Sequence, residues 1–588
     1  MLDKTDYLPN LIQEAKQQIN EIIASALAKA AEKGELPADA VLTGSVEIPK
    51  DTSNGDFAAN HAMAGARSLH MAPRMIAEKL IGNMDLSGTW FASAESAGPG
   101  FMNFRLAQSW YSDVLSAVDA AGENYGRTDD GKGRKLMVEF VSANPTGPMH
   151  MGNARGGVLG DALASVLEKA GYDVSREFYV NDAGNQIEKF AQSIDARYRQ
   201  LILGENAVEF PADGYHGEDI IRLAESFRES FGDEWLDKPE SERHEKMASF
   251  GLERNIPRMK NDLERYGIRY DQWFFESTLH ESGFVKETVS RLTDLGYTYE
   301  KDGALWLKTS EILGDKLRAA GKSEADIEKL ELKDDVLRRA NGFYTYFAAD
   351  IAYHRNKFET RGFDKVINIW GADHHGHVAR LKGAMDALGL DGENRLDVVL
   401  MQLVKLLENG VEVRMSKRTG KMISLDNLLD EIPVDSARYF FNSRPESPVE
   451  FDLELAKRQD KENPVYYVQY AHARICSMIS NLASEGHPLP AFGEADLSLL
   501  TEPAERDLIK QVALFPEEIR LAARDYDPSR INKYLTELAA QFHKFYTVCR
   551  IRDAEPGILN ARLVLSDSVR NVLELALSVI GIGAPEKM

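Results

Sequence analysis

Between Glu139 and Gly160 the chain reads EFVSANPTGPMHMGNARGGVLG, and few folds accommodate such a stretch. A β-rich run, Leu136–Val141, enters the turn-forming segment Asn144-Pro145-Thr146-Gly147-Pro148. His150-Met151-Gly152-Asn153 follows, and a helix of small residues starts at once. A strand that delivers a Gly-containing loop onto a helix N-terminus presents backbone N–H groups and a positive dipole end to a phosphate. His150 stands at the mouth of that site, where a ring N–H reaches a phosphate oxygen.

From Lys135 onward strand and helix patterns alternate. Arg176–Val180 is a strand followed by Asn181-Asp182-Ala183-Gly184-Asn185 and a helix, and Lys365–Trp370 is a strand followed by Gly371-Ala372-Asp373-His374-His375-Gly376-His377 and another. Repeated strand–loop–helix units with polar loops at the strand ends predict an α/β fold, a doubly wound parallel (Rossmann-like) sheet with its site along that edge. Residues 190–265, charged and broken by Pro211, Gly214 and Pro239, read as a mostly helical insertion between the halves of the sheet.

Ahead of this core, Leu8, Ile12, Ile19, Ile22, Ile23 and Leu27 recur at helical spacing, and strand-like pieces follow at Val46–Ile48 and Gly98–Phe104. A small α+β domain over residues 1–120 is expected, closed by the Gly-rich, charged segment Gly122–Lys135. The α/β unit then spans 130–460, with Asn409-Gly410 as a hairpin turn between Val398–Leu407 and Val411–Val413. Beyond Asp460 strand signals stop, and Val465–Leu482, Leu499–Arg524, Ser529–Cys549 and Ala561–Ile580 predict an all-α bundle over 461–588.

A chain of 588 residues exceeds one hydrophobic core. Its two cysteines, Cys476 and Cys549, exclude a disulfide framework and a multi-cysteine zinc knuckle. The N-terminal segment reads as a polar-faced helix and not a signal peptide, and no apolar run approaches bilayer length, so a cytoplasmic location without a membrane partner is expected. A net charge of −23 argues against indiscriminate nucleic-acid binding, although a local basic face remains compatible with it.

Arg414-Met415-Ser416-Lys417-Arg418-Thr419-Gly420-Lys421 is the second chemical element. Four of these eight residues are basic and none is acidic. A cationic loop of this kind closes over a triphosphate and neutralises the charge that develops as pyrophosphate leaves. The histidines of GADHHGH do not make a zinc site, which needs ligands from separated segments, and the strand end suits the adenosine half of a nucleotide better.

The His150–Asn153 element resembles the nucleotide-binding signature of class I aminoacyl-tRNA synthetases, and Arg414–Lys417 resembles their lysine-methionine-serine-lysine loop. The wider string ANPTGPMHMGN is similar to the form carried by arginyl-tRNA synthetases, as are PKDTSNGDFA, AGPGFMNF, YTYFAADIAYH and nearly the whole remaining chain. The resemblance implies ATP as substrate with Mg²⁺, L-arginine and the tRNA for arginine as partners, a monomer, and an arginyl-adenylate intermediate whose formation needs bound tRNA. It assigns catalysis to His150 and Lys417. ATP contacts fall on Pro145, His150, Gly152, Asn153, Gly371, Asp373, Met415, Ser416 and Lys417. Arginine contacts fall on Ser142, Asn144, Asn153, Glu276, Tyr346, Asp350 and His374, and no resident metal site is implied.

Physical chemistry supports that substrate, because a guanidinium asks for carboxylates and a phenol, and Tyr346 and Asp350 lie at i and i+4 on one helix face. Two departures stand out. Arg414 replaces the first lysine, keeping charge but with a planar fork. Asn153 replaces a histidine, which removes any cationic role and keeps hydrogen bonding.

In the bundle, Tyr466, Tyr467, Tyr470, His472 and Arg474, together with Lys533, Tyr534, Phe542, His543, Tyr546 and Arg550, supply rings and cations of the kind that stack bases and hold phosphates. The bundle resembles the family's anticodon-binding domain, and the aspartate-alanine-leucine-arginine string appears as Asp435-Ser436-Ala437-Arg438. Other class I synthetases are the nearest rivals: a cysteine enzyme would want zinc cysteines, and a valine, isoleucine or leucine enzyme a larger editing insertion. A non-catalytic RNA-binding relative would be expected to have lost one of the two nucleotide loops.

Overall fold

The computed structural model describes residues 8–408, 411–412 and 423–588. The chain opens with the helix Leu11–Glu32, started by Asn10, whose side chain accepts the Gln13 N–H at 3.1 Å. Its apolar stripe, Leu11, Ile12, Ala15, Ile19, Ile22, Ile23, Ala26 and Ala30, is buried. Four strands, β1 (Val46–Glu47), β2 (Phe57–Ala59), β3 (Phe91–Ala97) and β4 (Phe101–Leu106), form an antiparallel sheet in the order β1-β2-β4-β3.

The parallel sheet begins with β5 (Lys135–Glu139), β6 (Asp173–Val180) and β7 (Gln272–Phe275). A small antiparallel sheet, β8 (Thr298–Lys301), β9 (Ala304–Leu307) and β10 (Asp335–Arg338), interrupts it before β11 (Lys365–Gly371) and β12 (Leu396–Met401) complete it. The order is β12-β11-β5-β6-β7 with every neighbouring pair parallel. The chain runs outward from β5 to β7 and then returns to the other side of β5. That reversal opens a crevice at the carboxyl ends of β5 and β11, where α/β sheets bind ligands.

The helical segment between β6 and β7 has its own core. Phe190, Ile194 and Tyr198 of the helix Asn185–Leu203 pack with Ile220, Leu223, Phe227, Met247 and Phe250 from helices Glu218–Phe231 and Glu240–Arg265. The apolar stretch expected as one unit over Val398–Leu407 is divided: β12 stays in the parallel sheet, and β13 (Val404–Glu408) pairs with β14 (Val411–Glu412) and β15 (Val449–Asp452). The Gln402 N–H leaves the parallel sheet to donate to the Pro445 carbonyl at 2.9 Å. The Asn409-Gly410 turn lies outside the described residues; the residues flanking it pair antiparallel, Glu408 with Val411.

The final bundle contains the helices Pro464–Ser484, Pro503–Ala513, Phe515–Asp525, Ser529–Val548 and Pro556–Val579. Leu499–Arg524, expected as one helix, is two that meet at Leu514. Pro516 explains the break, since proline has no N–H for an interior turn and suits the first turn of a new helix.

One hydrophobic cluster runs from Ile12 through Phe104, Val138 and Leu163 to Phe515 and Ile582, so the N-terminal sheet, the parallel sheet and the bundle share a core. Polar contacts fasten the same junctions. The Tyr125 hydroxyl donates to the Val512 carbonyl at 3.1 Å, and Lys510 pairs with Asp56 at 2.5 Å. Glu517 receives Gln13 Nε2 at 2.7 Å and Arg520 Nε at 2.8 Å, with Lys16 at 3.4 Å. Burial acts to raise the Glu517 carboxyl, but Arg520, Gln13 and Lys16 outweigh it and bring it from an ordinary 4.5 down to about 2. A depressed carboxyl stabilises the fold above pH 4.5, and that contribution is lost as pH falls from there toward 2. Glu517→Gln should lower stability at pH 7 by on the order of 2–3 kcal/mol and narrow the gap from the parent as pH falls below 4.5, read by urea unfolding across pH.

Candidate nucleotide and amino-acid site

The chain leaves β5 by a strained turn. Val141 and Ser142 both have positive φ, 69° and 42°, which is costly for a β-branched residue and aims the next segment back over the strand ends. The loop then reaches His150, the N-cap of the helix Met151–Lys169. His150 Nδ1 accepts the Gly152 N–H at 3.1 Å, and Asn153 Oδ1 accepts the His150 N–H at 3.0 Å, a reciprocal cap. An accepting Nδ1 leaves the ring proton on Nε2, the tautomer that donates. A Cβ on Gly152 would lie 3.0 Å from the His150 ring, so glycine is what lets the ring sit over the helix end. Asn153 therefore fixes the loop by hydrogen bonding, as its lack of charge requires. Pro145 is buried, with its carbonyl held by Asn255 Nδ2 at 2.9 Å.

Arg414, Met415, Ser416 and Lys417 lie outside the described residues. The chain that follows them meets the His150 loop. β14 ends at Glu412, and Ser424 forms an antiparallel bridge with His150 while the Leu425 N–H donates to the Met149 carbonyl at 2.9 Å. Arg155, fully buried one turn into the helix, reaches the same region: its guanidinium donates to the carbonyls of Gln402, Arg444 and Ser447. With carbonyls as its acceptors, burial pushes that guanidinium down to about 10.

Beside the helix terminus lies a buried polar network that joins residues far apart in sequence. The Ser142 hydroxyl donates to Glu139 Oε1 at 2.9 Å, and Glu139 Oε2 receives Lys357 Nζ at 2.5 Å. Lys357 is fully buried; it also donates to Asn368 Oδ1 at 3.2 Å and lies 4.1 Å from the Tyr353 ring centre. Asn368 Nδ2 faces His354 Nε2 at 2.8 Å, and His354 Nδ1 lies 3.0 Å from Asp350 Oδ1. His377 Nε2 meets the other oxygen of Asp350 at 2.6 Å.

Glu276 joins through Tyr179. The Tyr179 N–H donates to Ser142 Oγ at 3.2 Å, and its hydroxyl to Glu276 Oε2 at 2.9 Å. Burial, followed by Glu276 itself, pushes the Tyr179 phenol up, so it stays a donor to that carboxylate. Asn181, with its amide oriented by its neighbours, adds a second donor at 3.0 Å. Tyr346 is partly exposed over the loop after β6, where a Cβ on Gly184 would lie 3.6 Å from its hydroxyl. Asn144 bonds Gln186 at 2.9 Å, a residue of the same loop–helix junction that also receives the Tyr215 hydroxyl.

The structure thus links Ser142, Glu276 and Asp350 through named contacts and brings Tyr346 and Asn144 to one loop. The end of β11 behaves differently. Gly371 and Asp373 stand at the strand end, and a Cβ on Gly371 would collide with Asp373 Oδ1 at 2.5 Å. Asp373 and His374 are exposed; His374 is 3.7 Å from Asp373 and packs on Trp370 rather than on Asp350. It is His377, one turn further, that reaches Asp350. Glu139, Tyr179, His354, Lys357 and Asn368 were not singled out from the sequence. Only His354 carried a usable signal, its i+4 spacing from Asp350 on one helix.

The bundle's aromatic residues divide into two groups. Tyr534 and Phe542 are core, and His472 is buried against the Pro585 carbonyl. Tyr466 and Tyr470 lie parallel at 6.3 Å, Arg474 sits 4.1 Å over Tyr546, and Tyr470 is exposed. Among the described residues no helix is long and apolar enough to cross a membrane, and no three His, Cys, Asp or Glu side chains converge as a metal site.

A parallel sheet that places a histidine-capped helix terminus at its reversal point is the catalytic core of a class I aminoacyl-tRNA synthetase, and residues 115–454 match the catalytic-domain family of class I (R) tRNA synthetases. Residues 17–106 match the arginyl tRNA synthetase N terminal domain and 468–588 the DALR anticodon binding domain. The arginine–tRNA ligase of Caldanaerobacter subterraneus subsp. tengcongensis is 54% identical over 99% of this chain and 100% of its own length. A solved structure described as a putative arginyl tRNA synthetase of Campylobacter jejuni is 34% identical with a TM-score of 0.71, covering 82% of this chain and all of its own. Thermus thermophilus arginyl-tRNA synthetase, at 21% identity, TM-score 0.72 and coverage of 97% and 100%, shares the fold. This chain belongs to the arginyl-tRNA synthetase family.

Lys357→Met should strand the Glu139 charge in the interior and cost about 3–5 kcal/mol of stability. Adding Glu139→Gln should recover more than half of that loss in equilibrium urea unfolding, because the pair is then removed as a unit.

Proposed function

We propose that this chain ligates L-arginine to its cognate tRNA through an arginyl-adenylate formed with ATP. The observation that carries the reading is the linkage of two shielded carboxylates, Asp350 and Glu276, to Ser142 at the foot of the His150 loop. Carboxylates at one end of the network and the His150 loop at the other suit a substrate with a guanidinium at one end and a reacting carboxylate at the other. Asp350, Glu276 and the Tyr346 hydroxyl would receive the guanidinium, since planar charge-assisted pairs are the strong way to hold one. Ser142, Asn144 and Asn153 would orient the amino and carboxylate ends, with His374 at the pocket edge.

ATP would lie across the reversal point, its phosphates at His150, Gly152 and Asn153 and its adenosine end toward Pro145, Gly371 and Asp373. Met415, Ser416 and Lys417 would close over it. The arginine carboxylate attacks the α-phosphorus, the bond to pyrophosphate breaks in line, and His150 Nε2–H and Lys417 stabilise charge that grows in the transition state. Mg²⁺ bound by the nucleotide would supply further neutralisation. The terminal tRNA hydroxyl then attacks the adenylate carbonyl and AMP leaves.

We further take residues 1–120 as a secondary grip on the tRNA body, 130–460 as the catalytic domain and 461–588 as the anticodon-binding domain. The shared core makes removal of 461–588 a poor test, because the cut would expose Phe515 and its neighbours.

Charging assays with each amino acid and total tRNA test the function: arginine alone should be joined, and charging of another amino acid in its place would refute the reading. Asp350→Asn should raise the arginine KM or lower kcat/KM by on the order of 30-fold or more, since losing one charge of a buried pair costs about 2–5 kcal/mol. Its KM for ATP should stay near that of the parent.

Tyr470→Ala combined with Arg474→Ala should raise the KM for tRNA about 5- to 160-fold, the span expected from about 1–3 kcal/mol of lost base stacking. The KM values for arginine and ATP in the same charging reaction should be unchanged.

A further inference from the structure

Asp350 is held from behind by imidazoles whose proton positions are set by other groups. His354 Nδ1 lies 2.9 Å from the Asp350 main-chain carbonyl and 3.0 Å from its carboxylate Oδ1. A carbonyl only accepts, so this nitrogen carries the proton. On the opposite side of the ring, His354 Nε2 faces Asn368 Nδ2 at 2.8 Å, and Asn368 is fixed in that orientation because its Oδ1 accepts from the fully buried Lys357 ammonium. Lys357 also lies 3.5 Å from His354 Nε2, where a second ring proton would face a cation. The ring is therefore locked as an Nδ1–H donor. The lock extends through Lys357 and Glu139 to the Ser142 hydroxyl.

His377 repeats the device with the nitrogens exchanged. Its Nδ1 faces Arg380 Nη2 at 3.3 Å, a cation anchored on Asp335, so Nε2–H points to Asp350 Oδ2. His377 thus gives Oδ2 a fixed donor, and the His354 Nδ1–H, bonded to the Asp350 main-chain carbonyl, stands 3.0 Å from Oδ1; each oxygen keeps a further lone-pair direction for a ligand. Of the two rings, His354 is the buried one, 1% exposed, on the same helix as Asp350 and tied to the amino end of the site.

We propose that His354 is a positioning residue for the amino-acid substrate, a tautomer-locked Nδ1–H donor that aims the Asp350 carboxylate and couples its orientation to Ser142 through Asn368, Lys357 and Glu139. The proposal rests on the reading of Asp350 as the guanidinium acceptor. It makes no contact between His354 and substrate. Its effect is on arginine affinity rather than on ATP.

Asparagine and glutamine separate this role from a purely structural one. In His354→Asn the amide nitrogen falls near Nδ1 and keeps a donor for Asp350. In His354→Gln the amide falls near Nε2 and keeps a partner for Asn368. The test is steady-state charging of tRNA by the full chain, with L-arginine and ATP varied in turn. The Asn variant should keep the arginine KM within about three-fold of the parent, and the Gln variant should raise it on the order of ten-fold, the loss expected for a hydrogen bond to a charged group. The ATP KM should move less than about two-fold in both. The reverse order, an unchanged arginine KM in both variants, or a parallel rise for arginine and ATP would overturn the proposal. Nitrogen-15 shifts of histidine in the unmutated protein give a reading independent of variant folding: His354 should be protonated at Nδ1 and bare at Nε2, and the opposite tautomer would overturn it. If the parent fails to charge arginine at all, the functional reading falls; if it charges and the variants behave alike, only the role of His354 does.

Discussion

The helix Met151–Lys169 has neighbours on nearly every face, and most of the molecule is arranged around that fact. Its small residues let it press onto β5, where a Cβ on Gly160 would lie 2.1 Å from the Phe140 ring. A helix buried all round has no solvent face on which to place a charge, yet this one carries Arg155 and Asp161. Each needs partners brought from elsewhere in the chain. Arg155 takes carbonyls from the segments around Gln402 and Arg444–Ser447, while Asp161 takes Arg438 and Arg176.

Arg438 extends that constraint to the bundle. Fully buried, it donates to Asp161, to the Tyr266 carbonyl at the end of the insertion helix and to the Ile580 carbonyl at 3.0 Å near the end of the chain. One guanidinium thereby ties the helix behind His150 to the last helix of the bundle. Gly581, with a φ of 66°, leaves room for it, since a Cβ there would lie 2.1 Å from Nη2. The helix that presents His150 is therefore tied by hydrogen bonds to the bundle that we assign to tRNA.

The amino-acid side of the crevice follows the same physical rule on a smaller scale. Buried ionisable groups are tolerated where each has a partner of defined orientation. Glu139, Lys357, Asn368, His354, Asp350 and His377 satisfy one another in a line. Strain at Val141 and Ser142 accompanies this order, as backbone held in a sparsely populated region does when its surroundings overdetermine it.

Local pattern determined much of this protein. Alternation of strand and helix periods set the parallel sheet; the turn residues after Leu136–Val141 and the small residues after His150 set the strand–loop–helix at its centre; and long apolar periodicity set the bundle. These properties depend on neighbours a few residues apart, so they are written in the chain. Other features belong to the tertiary structure alone. That Pro516 divides a helix was available locally, but that His377 and not His374 meets Asp350 depends on where the helix after β11, His375–Ala387, packs against Tyr346–Arg355. That Lys357 is buried depends on Glu139 arriving from a strand 218 residues earlier. A charged side chain reads as surface in any local window, and only the fold supplies the distant partner that makes its burial tolerable.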